Sequence, residues 1–356
     1  MEISRPTLLI DKEKCITNIK MMMGKAKNSS ATLRPHFKTH HSAEIAEWYR
    51  AEGVDKCTVS SVAMAEYFVE NGWNDLTIAF PYNPLESDVI NDLAKKAKIN
   101  ILIESLEGLN LAKERINKEI GYFIKIDVGT NRTGVDPRND QFIQDIIDGA
   151  SEKVIYKGLL AHAGHTYGAK DKENIEWIFN GAEKTLVELK AKFGGIISYG
   201  DTPSCSLIED LSSYDELRPG NFVFYDWMQH QIGSCEFGQI AVCLACPVVA
   251  IHAERDEIVV HGGAVHLSKD SVQEGKIKNF GKCVSLTESG WNTEIIGDVE
   301  RISQEHGVIK MKSDVIRNVK IGDLIGVIPV HSCLTADLQG HYLSTSGKRI
   351  DKIIKN

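Results

Sequence analysis

Between about residue 30 and residue 225, short β-branched runs alternate with longer stretches of helical period. This alternation limits the fold more than any other feature of the 356-residue chain. The expected strands are Thr32–His36, Cys57–Ser60, Leu76–Phe80, Ile99–Ile103, Tyr122–Val128, Ile155–Ala161, Ile196–Tyr199 and Tyr214–Arg218. Helical stretches such as AEIAEWYRAEG, VAMAEYFVENG, LESDVINDLAKKA and KENIEWIFNGAEKTLVELKAKFG lie between them, and several close on Gly as helix C-termini do. Eight strand–helix units in about 200 residues favour a closed (β/α)8 TIM-type barrel. The rival is a doubly wound sheet, weakened by the lack of a G-x-G-x-x-G after the first strand.

After about residue 236 the texture changes to period-2 alternation with Gly/Asp punctuation, as in IAVCLACPVVAIHAERDEIVVHGGAVHLS, KCVSLTE and DLIGVIPVHSC. That pattern predicts antiparallel strands. The expected α/β architecture is a barrel over residues 8–235 followed by a β-rich C-terminal domain over 236–356, which the N-terminal residues 1–7 may join.

Charge and cysteine usage narrow the function classes. There are 41 Lys+Arg against 49 Asp+Glu, a net −8, which argues against nucleic acid as the main partner. Eight cysteines scattered along the chain read as reduced intracellular thiols. Cys243 and Cys246 have C-x-x-C spacing, but no second pair exists to complete a zinc ribbon, so they read as core thiols. The start MEISRPTLLIDKEK has no apolar stretch of signal-peptide length. The longest apolar run, Ile240–Ile251, is interrupted by Pro247 and is too short for a membrane helix. The expected location is the cytoplasm, with a small-molecule substrate and no membrane partner.

Five segments hold candidate chemistry. Barrel active sites lie at the C-terminal ends of the strands. Lys38, in RPHFKTHH, sits just past the first strand among Arg34, His36, His40 and His41. A partly desolvated lysine among cations would have the lowered pKa of a Schiff-base amine; a solvated loop lysine is the bland reading. His36 and His40 are alternatively metal ligands, as in barrel hydrolases. Arg132, in NRTG, follows the fifth strand, where an arginine donates to a phenolate or carboxylate or sits in an ordinary turn. HAGHTYG gathers His162, His165 and Tyr167 after the sixth strand. SYGDTPS and RPGNF, after strands seven and eight, offer Gly200, Thr202, Ser204, Gly220 and Asn221 to a phosphate, or form two plain turns. His331 and Cys333, at i and i+2 of an expected strand, make half of a tetrahedral zinc site, or a buried thiol beside a bonded imidazole.

Taken in order, PHFKTHH, NRTG, HAGHTYG, SYGDTPS, ELRPGNFVFYD and PVHSC resemble the fold-type III pyridoxal-phosphate enzymes of the alanine racemase superfamily, over essentially the whole chain. The resemblance is to the D-serine dehydratase / D-threonine aldolase branch. It implies that Lys38 holds pyridoxal 5'-phosphate covalently and that Arg132 lies near the phenolic oxygen. His162 lies outside the direct contacts of the ring, in the next layer around it, Tyr167 lines the cofactor pocket, Arg218 faces the ring nitrogen, and Thr202, Gly220 and Asn221 hold the phosphate. Tyr225 belongs to the same motif without an assigned role. His331 and Cys333 match the ligands of zinc, or of another divalent metal. The aldolases carry H-x-D there, so Cys333 favours a dehydratase. His261-Gly262-Gly263 stands where the family has Asp-Ala-Gly.

The resemblance implies a lyase for D-β-hydroxy amino acids. The expected reaction converts D-serine or D-threo-3-hydroxyaspartate to a keto acid and ammonia, with Lys38 as base and the metal assisting the leaving hydroxyl. D-threonine aldolase, an amino-acid racemase, a non-catalytic pyridoxal-phosphate carrier and a metal-dependent barrel hydrolase using His36, His40, His162 and His165 are the alternatives. Relatives pair as homodimers, which is the expectation here.

Overall fold

The structure, a computed structural model, describes residues 3–354; the remaining residues at either end of the expected domains lie outside the described residues. The chain divides into two compact units. One comprises Lys20–Lys38 and Ala46–Gly220; the other comprises the chain up to Ile19, Thr39–Ile45 and the chain from Asn221 onward. The crossing at 220/221 precedes the expected boundary at 235/236, because residues 221–235 make their side-chain bonds within the β-rich unit. Asp226, for example, accepts from Ser332 N at 2.9 Å.

The first strand of the chain, β1 (Thr7–Ile10), belongs to the β-rich unit. The other unit is built from β2 (Thr32–Leu33), β3 (Cys57–Val59), β4 (Asp75–Pro81), β5 (Lys98–Ile103), β6 (Ile120–Ile126), β7 (Val154–Ala161), β8 (Ile196–Tyr199) and β9 (Glu216–Leu217). They pair in parallel in the order β2-β9-β8-β7-β6-β5-β4-β3, and a parallel bridge between His36 and Thr58 joins the two ends. This is the expected eight-stranded parallel barrel. Its strands are near-continuous apolar runs because both faces are covered: every residue of β6 is buried. The helices start on side-chain caps; Ser61, Ser105 and Asp171 accept from the N–H groups of Met64, Gly108 and Asn174.

Two strands are shorter than the sequence reading. β2 stops at Leu33 and β9 at Leu217, each just ahead of a proline, Pro35 and Pro219. Neither proline has an N–H to give the ladder. Arg34 N still bonds Leu217 O at 2.8 Å and His36 N bonds Pro219 O at 2.9 Å, so the chain stays extended to the turn that follows.

In the β-rich unit, β10 (Val242–His252), β11 (Glu257–His261), β14 (Gly281–Thr287), β15 (Gly290–Ile302), β16 (His306–Met311) and β17 (Leu324–Pro329) run antiparallel in the order β11-β16-β15-β14-β17-β10. A further β10–β11 pairing closes them into a ring. β1 pairs with β10, and β18 (His341–Ser344) and β19 (Arg349–Asp351) extend the sheet beyond it. The short β12 (Val272–Glu274) and β13 (Ile277–Asn279) form a separate hairpin. Cys243 and Cys246 are buried in β10, where burial pushes both thiols up; none of the eight cysteines, all among the described residues, forms a disulfide. Among the described residues, no helix is long and apolar enough to cross a membrane.

Candidate active site

In the barrel unit, a 3-10 turn over Phe37–Thr39 follows β2 and presents Lys38. Phe37 anchors that turn. Its fully buried ring packs on Tyr49, Phe68 and Trp73 at centroid distances of 5.2, 4.9 and 4.8 Å. Lys38 itself is half-buried, and its backbone N–H donates to His36 Nδ1 at 3.3 Å.

Two of the residues expected to crowd Lys38 with charge, Arg34 and His40, have surroundings of their own. Arg34 is buried and engaged, with Nε donating to Glu216 Oε2 at 2.6 Å and Nη1 to Asp75 Oδ1 at 2.7 Å. Burial pushes the His40 imidazole well below its ordinary range, so it is neutral near pH 7.

The loops after β6, β7 and β8 supply the next groups. Asn131, at a φ of 54°, and Gly134, at 119°, fold NRTG back beneath Asp127, which leaves Arg132 exposed at the tip. A side chain at Gly134 would meet Asp127 N at 2.6 Å, so only glycine fits the fold-back. His162 Nδ1 donates to Gly200 O at 2.5 Å, which leaves Nε2 as the bare nitrogen. Burial first, then the charges of Lys38, Arg218 and Arg132, push the His162 imidazole down to about 3. That influence places Lys38, Arg132 and Arg218 each within electrostatic reach of His162.

Tyr167 joins the same group: its hydroxyl accepts from Thr202 N at 3.3 Å, and its ring lies 6.4 Å from that of His162. Thr202 Oγ1 is buried with no hydrogen-bond partner. Asp201, overlooked in the sequence, braces both loops; it accepts from Thr166 Oγ1 at 2.9 Å, Tyr199 OH at 2.7 Å and Ser204 N at 2.7 Å.

Arg218 is buried, donating Nε to Ser198 Oγ at 2.7 Å and Nη2 to Ala161 O at 2.6 Å. Ser198 Oγ in turn donates to Glu216 Oε1 at 2.5 Å, so a hydrogen-bonded chain runs from Arg218 through Ser198 and Glu216 to Arg34. Burial lowers the Arg218 guanidinium to about 10, still a cation near neutrality. Lys125 on β6 is a second buried cation that sequence reasoning missed. Burial first, then Arg218, lowers it to about 8, and its Nζ donates to Ile126 O at 2.9 Å.

The β-rich unit holds a separate constellation around His331 and Cys333. These residues do not share a strand as expected. His331 is the N-cap, and Cys333 stands in the first turn, of a helix over Ser332–Leu338. The reason is Asp226, whose buried carboxylate captures Ser332 N at 2.9 Å and Ser332 Oγ at 3.2 Å, turning the chain out of the strand.

His331 Nδ1 bonds Asp270 Oδ2 at 2.8 Å, and its ring also hydrogen-bonds Cys333. Burial works against its charge, yet the bonds to Asp270 and Cys333 and the nearby Asp226 push it up to about 11. Cys333 Sγ lies 3.3 Å from Thr39 Oγ1, and Thr39 is the residue after Lys38. Asn221 Nδ2 is committed to Asp226 Oδ2 at 2.6 Å and Ser332 Oγ at 2.9 Å, so what it has left for a phosphate is its backbone N–H. Tyr225, buried, takes a left-handed φ of 46°, a costly conformation for a bulky residue.

An imidazole braced by a carboxylate, with a thiol beside it, is the donor set of a zinc-class metal. The unpartnered buried hydroxyl of Thr202, with a lysine on an anchored turn and a buried arginine in the same unit, is a set of groups that could hold an anionic cofactor. By contrast, His36, His40, His162 and His165 do not assemble into a metal cluster. Among the described residues, the group of three or more such donors is His261, His266 and Glu305.

A parallel barrel with this group at its strand ends, continued by an antiparallel β unit, defines the alanine-racemase-like class. The chain belongs to the alanine racemase N-terminal domain family, matched over residues 10–226; residues 241–345 match the "Putative serine dehydratase domain". It is 27% identical to D-serine dehydratase of Dictyostelium discoideum, covering 96% of this chain and 93% of that protein. It is 24% identical to a D-threonine aldolase of Arthrobacter sp, covering 92% and 86%. The structure of D-threo-3-hydroxyaspartate dehydratase from Delftia sp. HT23 superposes with a TM-score of 0.89 at 22% identity, covering 99% of this chain and 98% of that one. A cysteine-to-alanine variant of that dehydratase has been solved in a metal-free form. The chain is an enzyme, a lyase of D-amino acid metabolism.

Proposed function

We propose that the chain is a lyase for D-β-hydroxy amino acids, dehydrating D-serine or D-threo-3-hydroxyaspartate to a keto acid and ammonia, with pyridoxal 5'-phosphate and a divalent metal, zinc, as its cofactors. The observation that carries this reading is the His331–Cys333 pair with Asp270 behind the imidazole, since a racemase or a cofactor carrier has no use for a metal. Lys38 would hold the cofactor aldehyde. Thr202 and the N–H groups of Gly220 and Asn221 would take its phosphate, and Arg218 would donate to the ring nitrogen. Arg132 would lie near the phenolic oxygen, His162 in the shell around the ring and Tyr167 along the cofactor pocket, with Tyr225 in the same motif. When bound, the cofactor would make the substrate's α-proton acidic by delocalising the electron pair left behind.

The chain's own groups do the rest. The Lys38 amine would accept the α-proton as general base. Arg218, a cation near neutrality, would keep its own proton while giving the ring nitrogen a hydrogen bond. Loss of the hydroxyl then needs assistance, and the metal on His331 and Cys333 would supply Lewis acidity for it. Neutral His162 adds no positive charge beside the lysine. The free thiols suit a reducing cytoplasm, and the family resemblance implies a homodimer.

Product analysis with D-serine and D-threonine tests the reading. Pyruvate and ammonia from D-serine, lost with a chelator and restored by zinc, support it. Glycine and acetaldehyde from D-threonine, with no turnover of D-serine, would replace it with the aldolase that the Arthrobacter relative suggests.

A further inference from the structure

We propose that His261, His266 and Glu305 form a second transition-metal site, for a zinc-class ion, that clamps the β-rich unit rather than taking part in the chemistry. Each residue offers one ligand atom, and these atoms all lie within 4.8 Å of one another. Glu305 Oε2 is 3.3 Å from His261 Nε2 and 3.8 Å from His266 Nε2. Zinc bound at ~2.0–2.2 Å by nitrogen and oxygen in a tetrahedron sets neighbouring donors roughly 3.3–3.6 Å apart. Two of the three edges are therefore already close to those of such a tetrahedron, and the third, between the imidazoles, is within 4.8 Å and would close on the ion, with the fourth corner for water. Two imidazoles and one carboxylate suit zinc, nickel or copper and not calcium or magnesium.

The backbone builds this arrangement. His261 ends β11, His266 lies on the short helix Ala264–Leu267, and Glu305 sits in the turn between β15 and β16. Three hydrogen bonds tie the segments together: Gly262 N to Glu305 O at 2.9 Å, Ala264 N to Ser303 O at 2.8 Å and Val265 N to Gln304 O at 3.1 Å. A side chain at Gly263 would meet Ser303 O at 2.5 Å and Gln304 O at 2.6 Å, so the segments close on each other only because that position is glycine.

The clamp has something to hold. Leu267 O accepts from Thr335 Oγ1 at 3.1 Å, and His266 O accepts from Gln339 Nε2 at 3.0 Å. Thr335 lies on the helix that carries Cys333, and Asp270, which orients His331, lies three residues past Leu267. An ion on His261, His266 and Glu305 would fix the stretch that supports both.

The test is zinc stoichiometry on the full chain after chelator stripping, in the parent, Cys333→Ala, His261→Ala and Cys333→Ala/Glu305→Gln proteins. Two ions per chain are expected in the parent, one in each single variant and none in the double variant. A zinc-induced rise in melting temperature should survive Cys333→Ala and vanish in the double variant, while the metal-free melting temperatures of the two stay alike. In Cys333→Ala protein, His266→Ala should weaken zinc at least roughly 10-fold. An ion that disappears with Cys333→Ala and persists with His261→Ala would overturn this site and leave the proposed cofactor intact. An ion that persists with Cys333→Ala and disappears with His261→Ala would uphold this site and remove the other.

Discussion

Asp270 accepts a 2.8 Å hydrogen bond from His331 Nδ1 across 61 residues of sequence. This bond decides which ring nitrogen carries the proton once a metal takes the other. The carboxylate also stays ionised: its bond to His331 holds Asp270 below the usual carboxylate range. Asp270→Asn keeps the shape and removes the charge. The expected result is zinc affinity lower by about 10–100-fold, with activity recovered at raised zinc. A zinc titration of the stripped enzyme reads this directly, and an unshifted midpoint would count against Asp270 as the brace.

Lys38→Ala should yield protein that binds pyridoxal phosphate weakly and reversibly, with no turnover. The readout is borohydride reduction followed by mass analysis of the intact chain. The parent should retain the cofactor mass and the variant should not. A retained adduct in the variant would move the anchor to another lysine, Lys125 being the buried alternative.

The Arg34–Glu216 pair predicts a stability effect without a direct catalytic one. Both side chains are almost fully buried, 6% and 4% exposed. Arg34→Ala strips the buried Glu216 carboxylate of its guanidinium partner and leaves it the Ser198 hydroxyl, which costs about 3–5 kcal/mol. Chemical denaturation should show that loss, while the variant, assayed well below its melting temperature, keeps turnover within a few-fold. A complete loss of turnover in folded variant would restore Arg34 to the lysine's chemistry.

Two buried imidazoles set an acid limit on the cofactor-free protein. His162 is held at about 3 and His40 well below its ordinary value, both mainly by burial. As pH falls below about 6.5 the unfolded chain binds protons that the folded chain does not, so stability declines toward acid. The window from pH 6.5 to 5 lies above ordinary carboxylate titration. His162→Gln should flatten the dependence of denaturation midpoint on pH in that window; an unchanged slope would show that His162 is protonated in the folded state.

Much of the barrel was legible because its signal is local. Strands such as Ile99–Ile103 and Ile196–Tyr199 are apolar runs bounded by helical stretches, and the structure has them within a residue. Strand β1 was missed because TLLI is four residues long, and it draws its order from β10, more than 230 residues away in sequence. The motif residues Tyr167 and Thr202 do meet, but the groups that position them were invisible. Asp201, Asp226 and Asp270 were not singled out, since each has a deciding partner far off in sequence, 35, 106 and 61 residues away. His331-x-Cys333 was misread as strand for the same reason, because the acceptor that turns Ser332 into a helix is Asp226.

The ring of parallel strands closes at its thinnest place. β2 contributes two residues to its pairing with β9, and a single bridge, His36 to Thr58, supported by Thr58 N to Pro35 O at 2.9 Å, completes the circle on the other side. With so few amides to protect it, this seam should exchange its hydrogens with deuterated solvent sooner than β6 or β7, whose ladders run the length of both strands. The lysine turn therefore hangs from the stave of the barrel most ready to breathe, and a covalently held cofactor would slow that breathing in a way isotope labelling can time.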